Sequence, residues 1–248
     1  MSIIYEPKGR AREYAELACN VYSGCDHRCK YCYAKRLGSH GTPKTRRDLF
    51  DKLKDEIGVP GVLRGKTVHL CFTCDPYQTF DARIGDTRRV IQMIHYAGGN
   101  VAILTKGGSR ALRDLDLMIP GRDYHAATMT YLDASHSLYW EPGAALPDDR
   151  IDTLQAFHAA GITTWVSLEP VLDPAQSIEI IKRTIGFVDI YKIGKLNHHP
   201  AADDIDWRKF GIDACTWMTR LGFSRAFNPD TLQRGQYYIK RDLAKYLP

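Results

Sequence analysis

The stretch "CNVYSGCDHRCKYCYAKR", Cys19 to Arg36, contains four of the seven cysteines in this 248-residue chain. Three of them, Cys25, Cys29 and Cys32, have the spacing C-x3-C-x2-C. They follow a predicted first strand, and in a turn of this length their sulfur atoms can converge. A structural zinc site needs a fourth ligand, and most iron–sulfur clusters also have four cysteine ligands. Three thiolates on a [4Fe–4S] cluster would leave one iron free to bind another molecule.

The composition is that of a globular protein, with 44% apolar and 25% charged residues. This length suits one large α/β domain or two small ones. No run approaches the roughly 18 apolar residues that a membrane span needs, and the N-terminal residues lack the apolar region of a signal peptide. An odd number of cysteines argues against a secreted disulfide framework. We therefore expect a soluble, cytoplasmic protein without a membrane partner.

Short apolar runs alternate along the chain with segments that have helical spacing. Most of the predicted strands are nearly continuous apolar runs, which is typical of parallel strands covered on both faces. Together they make six strand–helix pairs. The predicted strands are 17–24, 67–73, 100–106, 124–132, 163–171 and 187–196, and the predicted helices are 45–57, 83–97, 109–118, 147–160, 174–185 and 206–221.

Six such pairs predict an α/β fold with a parallel sheet and right-handed crossovers. The sheet can be open and doubly wound or curled toward a barrel, and six units favour a partial (β/α)6 barrel of the TIM type. Residues 1–222 are predicted to form this core. Residues 223–248 are predicted to form a short C-terminal cap of the same domain. In either form, functional residues should lie at the carboxyl ends of the strands.

The C-x3-C-x2-C motif, with Tyr31 directly before its third cysteine, resembles the signature of the radical S-adenosylmethionine (SAM) superfamily. The string "NVYSGCDHRCKYCYA" (20–34) is similar to the branch that contains spore photoproduct lyase. Three further strings resemble this branch: "DPYQ" (75–78), "LTKGGSRALRDLDLM" (104–118) and "WEPGAALPDDRIDTLQAFHAAGI" (140–162). The resemblance covers roughly residues 17–200. The cysteine motif is highly specific, whereas the other strings indicate the branch without identifying a substrate.

This resemblance implies that Cys25, Cys29 and Cys32 hold a [4Fe–4S] cluster whose open iron binds SAM. One electron from the cluster would cleave SAM to methionine and a 5′-deoxyadenosyl radical, which abstracts hydrogen from a substrate. An electron donor such as flavodoxin or ferredoxin is implied as a partner. The branch suggests a lyase that repairs a DNA lesion, with DNA or RNA as a partner. The lesion would have to be flipped out of the duplex to reach the cluster.

Six side chains at strand ends or in the motif are expected to contact SAM, and they are Tyr31, Asp75, Lys106, Thr128, Thr130 and Ser167. By position in the motif, Tyr31 is expected near the adenine, and a cation at Lys106 suits the SAM carboxylate. Asp75 could accept from the SAM amine. The Thr and Ser hydroxyls could bind the ribose or the carboxylate. Each single polar residue could instead form a helix cap or a loop hydrogen bond.

Cys71 and Cys74 form a second C-x2-C pair in "LCFTCDPY". With the first three cysteines they could in principle build a zinc knuckle or an auxiliary cluster, although such a cluster usually needs more thiols. In spore photoproduct lyase, a cysteine in this general region returns hydrogen to the product radical. Cys74 lies about where such a donor would fall, so we consider it a candidate hydrogen donor. A small buried apolar residue is the ordinary role of a free cysteine, and that role suits Cys71.

Two alternatives to a DNA-directed enzyme remain open. One is a radical SAM enzyme acting on a tRNA base, a nucleoside or a peptide. The other is a non-catalytic zinc or iron–sulfur module that binds nucleic acid. The net charge of +5 permits a polyanionic partner without requiring one. A group of basic residues either forms a solvated surface or contacts phosphates, and it comprises Arg28, Lys30, Lys35, Arg36, Lys44, Arg46 and Arg47.

Overall fold

The computed structural model describes residues 2–37 and 41–248. Eleven strands are found in this part of the chain. They are β1 Ile4–Tyr5, β2 Leu17–Cys19, β3 Tyr22–Ser23, β4 Lys44–Thr45, β5 Thr67–Leu70, β6 Asn100–Thr105, β7 Tyr124–Thr128, β8 Thr163–Leu168, β9 Ile190–Ile193, β10 Ser224–Ala226 and β11 Gln236–Ile239.

Eight α-helices occur in the same residues, together with four short 3-10 helices. The α-helices are α1 Leu49–Ile57, α2 Thr79–Ile84, α3 Asp86–Tyr96, α4 Ala134–Trp140, α5 Pro147–Ala159, α6 Pro174–Thr184, α7 Trp207–Arg220 and α8 Arg241–Ala244. The 3-10 helices are Gly9–Glu13, Tyr33–Leu37, Gly108–Leu117 and Pro200–Ala202. None of the helices in the described ranges combines the length and apolar character that a membrane crossing requires.

One sheet contains nine of these strands, in the order β1-β2-β5-β6-β7-β8-β9-β11-β10. The six neighbouring strands β2, β5, β6, β7, β8 and β9 are all parallel to one another. At one edge β1 runs antiparallel to β2, and β3 and β4 form a separate small ladder. Six parallel strands joined by crossovers confirm the predicted partial (β/α)6 barrel.

The side chains of the parallel strands separate into an outer apolar layer and an inner, more polar layer. Leu70 of β5 and Ile103 of β6 belong to a buried cluster that packs against the helices. His69, which alternates with Leu70, instead stacks on Phe72 with ring centroids 4.4 Å apart. Because successive strand residues point to opposite faces, the helices cover one face while the other face lines the barrel interior.

The structure differs from the predicted elements at two places, where the backbone interrupts a predicted helix or strand. A single helix was predicted at 83–97, but the chain forms α2 and α3 separated by Gly85. Gly85 has φ of 73°, a left-handed conformation that glycine adopts without steric penalty. The first predicted strand, 17–24, is also interrupted after Cys19, so that its second half pairs with β4 instead.

The C-terminal tail contributes two strands that were not predicted from the sequence. β11 pairs in parallel with β9, and β10 pairs in parallel with β11. The tail therefore extends the sheet beyond its sixth parallel strand. The division into a core of residues 1–222 and a tail of 223–248 stays a prediction.

Candidate active site

A cavity of about 490 Å³ lies at the carboxyl ends of the parallel strands. Nine of the ten residues predicted for the site line it: Cys25, Cys29, Tyr31, Cys32, Cys74, Asp75, Lys106, Thr128 and Ser167. Thr130, the tenth, is fully buried, and it is not among the described residues that line the cavity. The fold thus brings together side chains from the cysteine loop and from four strand ends.

The cysteine loop is held in place by contacts from the start of α2 and from the loop between α4 and α5. The Asp26 carboxylate accepts hydrogen bonds from the backbone N–H groups of Thr79 and Phe80, at 3.2 and 2.8 Å. On the other side, the Gly143 N–H donates to the His27 carbonyl at 3.0 Å. A β-carbon at Gly143 would collide with the Asp26 carbonyl oxygen. The loop between α4 and α5 therefore needs a glycine here to pack against the cysteine loop.

The three motif thiols fit a cluster that is bound by three cysteines. All three line the same cavity, and burial raises the pKa of Cys29 to about 12. The charge of Lys106 partly opposes this rise, so the Lys106 ammonium lies close enough to favour a thiolate at Cys29. A cation beside the thiols suits the negative charge of thiolate ligands. The donor set and its surroundings therefore match a [4Fe–4S] cluster.

A single-ion site finds no comparable support. Among residues 2–37 and 41–248, no group of three or more His, Cys, Asp or Glu side chains is arranged to hold one metal ion. A structural zinc ion needs about four such ligands at close range.

Asp75 is bound mainly by protein groups. Its carboxylate accepts hydrogen bonds from Thr105 Oγ1 at 2.5 Å, from the Lys106 N–H at 2.8 Å and from the Tyr77 N–H at 2.9 Å. Burial alone would raise the Asp75 pKa, but His27, Lys106 and these hydrogen bonds outweigh burial and lower it. Asp75 thus joins the ends of β5 and β6 as a carboxylate, and its contact with the SAM amine stays a prediction.

Lys106 extends from the end of β6 into the same cavity. Burial alone would lower its pKa, but the nearby Cys29, Glu141 and Asp75 raise it above the ordinary lysine value. The side chain is therefore a cation at neutral pH. This charge is what its predicted contact with a carboxylate requires.

A buried ion pair that was not predicted supports Tyr31. The Tyr31 hydroxyl donates to Glu141 at the end of α4. Arg150 of α5 donates to the other Glu141 oxygen at 2.5 Å and to the Thr128 carbonyl at 2.9 Å. Both Glu141 and Arg150 are 1% exposed. The sequence contains a sign of this ion pair, because Arg150 lies on the apolar face of α5 with Leu154 and Phe157. A charged residue on a buried face requires a partner of opposite charge.

A second unpredicted network lies below Ser167. The Tyr14 hydroxyl is 2.9 Å from Ser167 Oγ and donates to Glu169 at 2.7 Å. Lys240, which follows β11, also donates to Glu169. Ser167 is thus connected to the N-terminal segment and to the C-terminal tail. These partners are far apart in the sequence, and no local motif marks them.

The two remaining cysteines of the cavity have different surroundings. Cys71 is 6% exposed and belongs to the apolar cluster around β5, and its sulfur accepts from the Val21 N–H at 3.4 Å. Cys74 is half-buried. Burial raises the Cys74 pKa well above its usual value, and the neighbouring Cys71 raises it further. At neutral pH Cys74 is therefore a thiol with its hydrogen attached.

Comparison with known proteins identifies the family. The profile of the radical SAM superfamily matches residues 19–188. An uncharacterized protein from Mycobacterium tuberculosis is 28% identical over 166 residues, covering 62% of this chain and 48% of that protein. An uncharacterized protein from Methanocaldococcus jannaschii is 26% identical over 192 residues, covering 74% and 71%. The chain therefore spans about half the length of its mycobacterial relative.

Solved structures with the same fold include a mutant of spore photoproduct lyase with bound AdoMet and dinucleoside spore photoproduct. It has a TM-score of 0.66 at 15% identity, covering 95% of this chain and 78% of that chain. Streptococcus suis SuiB bound to S-adenosylmethionine has a TM-score of 0.59 at 13% identity, covering 92% and 48%. At these identities the likeness establishes the fold alone. Because the family match covers more than half of the chain and includes the three motif cysteines, this protein is a member of the radical SAM superfamily, whose enzymes use a [4Fe–4S] cluster and SAM.

Proposed function

We propose that this radical SAM enzyme abstracts hydrogen from a nucleobase lesion in a nucleic acid, in a reaction similar to that of spore photoproduct lyase. The main supporting observation is the basic and aromatic rim of the cysteine cavity. Lys8 and Tyr33 line the cavity and are exposed. Arg36 and Lys35 lie beside them and donate to the backbone carbonyls of His198 and Lys30. Cations and aromatic rings together are typical of surfaces that bind single-stranded nucleic acid.

The cluster and SAM would occupy much of the 490 Å³ cavity, so the substrate would reach them only through its mouth. A duplex is far wider than such a cavity. The target base would therefore leave the stack, as it does in other enzymes that react with bases. Exposed Tyr33 is the ring on which such a base could stack.

The chain's own residues would bind and orient the reactants. When bound, the cluster and SAM supply a 5′-deoxyadenosyl radical. Cys25, Cys29 and Cys32 would hold the cluster, and Lys106 would bind the SAM carboxylate. Ser167, held by Tyr14, would bind a hydroxyl or the carboxylate of SAM.

Cys74 is proposed to return a hydrogen atom to the substrate radical after the lesion has opened, which leaves a thiyl radical that one electron from the donor and one proton convert back to the thiol. It lines the cavity, and its raised pKa keeps the S–H bond intact at neutral pH. An intact S–H bond is required because a thiolate has no hydrogen atom to give. Flavodoxin or ferredoxin is the proposed electron donor.

The experiment uses the full chain purified without oxygen and reduced with dithionite. With SAM alone, we expect release of 5′-deoxyadenosine. With a dinucleoside spore photoproduct deuterated at the position of hydrogen abstraction, we expect the label in 5′-deoxyadenosine and two thymidines as products. Cleavage of SAM without label transfer from this substrate would overturn the proposed substrate while leaving the radical chemistry intact. Label transfer from a tRNA base or a peptide in parallel reactions would identify the competing substrate.

Phosphate contact at the rim has a separate test. Arg36→Glu should weaken binding of a lesion-containing oligonucleotide and reduce the dependence of log K on log salt by roughly one for each lost phosphate contact. Lys209→Glu is the matched control, because Lys209 lies on α7 and its partner is Asp213. Equal salt dependence in the wild type and Arg36→Glu would exclude a phosphate contact at Arg36.

A further inference from the structure

A second cavity, of about 400 Å³, lies at the opposite end of the barrel. Thr67, Tyr124 and Ile190 line it, and they are the first residues of β5, β7 and β9. Amino ends of parallel strands lie on the side away from the cysteine cavity. Tyr14 lines both cavities and stands between them.

Lys192 of β9 lies at this second cavity and is 6% exposed. Its Nζ donates to the backbone carbonyls of Glu13 at 3.0 Å and Tyr14 at 3.1 Å. A neutral amine has two N–H bonds, and here each has an acceptor. In the neutral form these two contacts leave the lone pair of the nitrogen unused.

The surrounding charges favour the neutral amine. Burial, together with the charge of Lys240 and against weaker opposition from Asp230 and Glu13, lowers the pKa of Lys192 to about 7. Neither carboxylate is an ion-pair partner of Lys192. The Glu13 carboxylate accepts from the Tyr238 hydroxyl and the Arg241 N–H, and Asp230 is paired with Arg12.

The aromatic rings near Lys192 carry no charge at neutral pH. His69 of β5 is fully buried, and burial lowers its pKa to about 3. The rings of Trp165 and Tyr14 lie 5.1 and 5.2 Å from the Lys192 nitrogen. A desolvated lysine beside a second cation is the environment in which enzymes form Schiff bases with carbonyl compounds.

The walls of the cavity define the shape of the molecule that fits. Ala102, Trp165, Ile190 and Leu232 are apolar, whereas Thr67 and Thr231 add hydroxyl groups. Glu16 and Asp230 are also part of the lining, and both accept hydrogen bonds from Arg12. A neutral ligand with an apolar body therefore suits this site better than an anion.

We propose that Lys192 is the nucleophile of a second site, which binds a small aldehyde or ketone with an apolar body as an imine. The amine nitrogen attacks the carbonyl carbon, a proton passes from nitrogen to the carbonyl oxygen, and loss of water gives the C=N bond. Hydrolysis of the imine reverses these steps. The sequence consumes no electrons and needs no co-reactant beyond the carbonyl compound. It is independent of the substrate proposed for the cysteine cavity.

The test traps the imine in the intact, cluster-loaded protein. Benzaldehyde and cyanoborohydride are added at pH values from 6 to 10, and the reduced adduct is located by peptide mass spectrometry. An ordinary lysine has a pKa of about 10.4, so at pH 7 we expect Lys192 to be labelled at least about tenfold faster than any exposed lysine. Labelling of Lys192 should level off above about pH 8, whereas labelling of exposed lysines should keep rising. Labelling spread over exposed lysines, with Lys192 unmodified in the folded protein, would overturn the proposal.

Two variants complete the test. Lys192→Met should lose the adduct, while Lys209→Arg, at an exposed position of α7, should keep it. Leu232→Trp retains the lysine and fills part of the cavity, so it should slow labelling of Lys192 at least about threefold at pH 7. If Lys192→Met does not fold, the wild-type adduct map and Leu232→Trp decide the question. Unchanged labelling in folded Leu232→Trp would show that the cavity is not the binding site.

Discussion

Cys71 and Cys74 are three positions apart and both line the cavity, but they differ in burial. The sulfur of Cys71 accepts a hydrogen bond from the Val21 N–H, and its side chain packs in an apolar cluster. Cys74 is less buried and has a strongly raised pKa. Cys74 also packs against this cluster, so its proposed donor role depends on its intact S–H bond and its place at the cavity.

Cys74→Ala should separate radical formation from product quenching. We expect 5′-deoxyadenosine formation to continue with the lesion substrate, because this residue is not one of the motif cysteines. The normal product should decrease, and by-products derived from an unquenched substrate radical should appear. Liquid chromatography with mass spectrometry measures both. Cys215→Ala, in α7, is the matched control, and a normal product pattern in Cys74→Ala would rule out the donor role.

The sequence predicts residues of the site when they lie in one short segment. Cys25, Cys29 and Cys32 belong to one loop, so their spacing alone indicates a shared centre. Tyr14 and Lys240 could not be found in this way, because the contact of each with Glu169 spans 155 and 71 residues respectively. Such contacts depend on the barrel bringing distant strand ends together.

At the scale of elements, α4 was missed because its seven residues, "ASHSLYW", lack a clear apolar period. The helix is instead specified by its N-cap, where the Asp133 carboxylate accepts from the His136 N–H at 2.7 Å. Its end places Glu141 against Arg150 of α5. Two short-range features, a cap and a proline-started helix, therefore hold the ion pair behind Tyr31.

Arg150→Met should test how far this ion pair supports the site. Removing one partner of a buried pair leaves the other charge uncompensated, which costs about 3–5 kcal/mol of the free energy of unfolding. Urea unfolding measures this cost. The double variant Arg150→Met/Glu141→Gln should recover much of it, because neither position of the pair then carries a charge. Arg183→Met is the control, since Arg183 pairs with Asp148 on the surface and should change stability by less than about 1 kcal/mol. A loss of similar size in both single variants would contradict the prediction.

The two strands of the tail show why the apolar pattern of a sequence does not predict every strand. β10 has three residues and none of its side chains is buried, so it lacks the apolar run that predicts a strand. β11 has the buried pattern but only four residues. β11 becomes a strand because β9 offers it a free edge, and β10 becomes a strand because β11 then offers the next edge. That edge exists only in the folded sheet.

For the molecule as a whole, the two-layer barrel buries histidines that have no polar partner. His69 faces the interior, and His125 of β7 stacks on Phe157 of α5 with ring centroids 3.7 Å apart. Neither ring has a hydrogen-bond partner in the described residues. The alternation of the strands predicts which face each residue takes, but it does not predict that both rings stay neutral.

Because these histidines are buried in the neutral form, the free energy of unfolding should fall as the pH is lowered. Burial lowers the pKa of His125 to about 3, from about 6.5 in the unfolded chain. Below pH 6.5 the unfolded chain therefore binds a proton that the folded protein excludes. Each such histidine costs about 1.4 kcal/mol of stability per pH unit as the pH falls from 6.5 toward 3. Above pH 6.5 its contribution is fully present and constant.

His125→Phe should remove one of these acid-sensitive groups while keeping the stacked ring on Phe157. Between pH 8 and 6.5 its unfolding free energy should run parallel to that of the wild type. At pH 5 the variant should have gained about 2 kcal/mol relative to the wild type, which is the cost of 1.5 pH units for one histidine. Urea unfolding of the anaerobic protein at each pH measures the difference. His136→Gln, at an exposed position of α4, should retain the wild-type slope. If the unfolding free energy of His125→Phe had the same dependence on pH as that of the wild type, His125 would already be protonated in the folded protein. The outer face of the sheet would then not be a neutral apolar layer at this position.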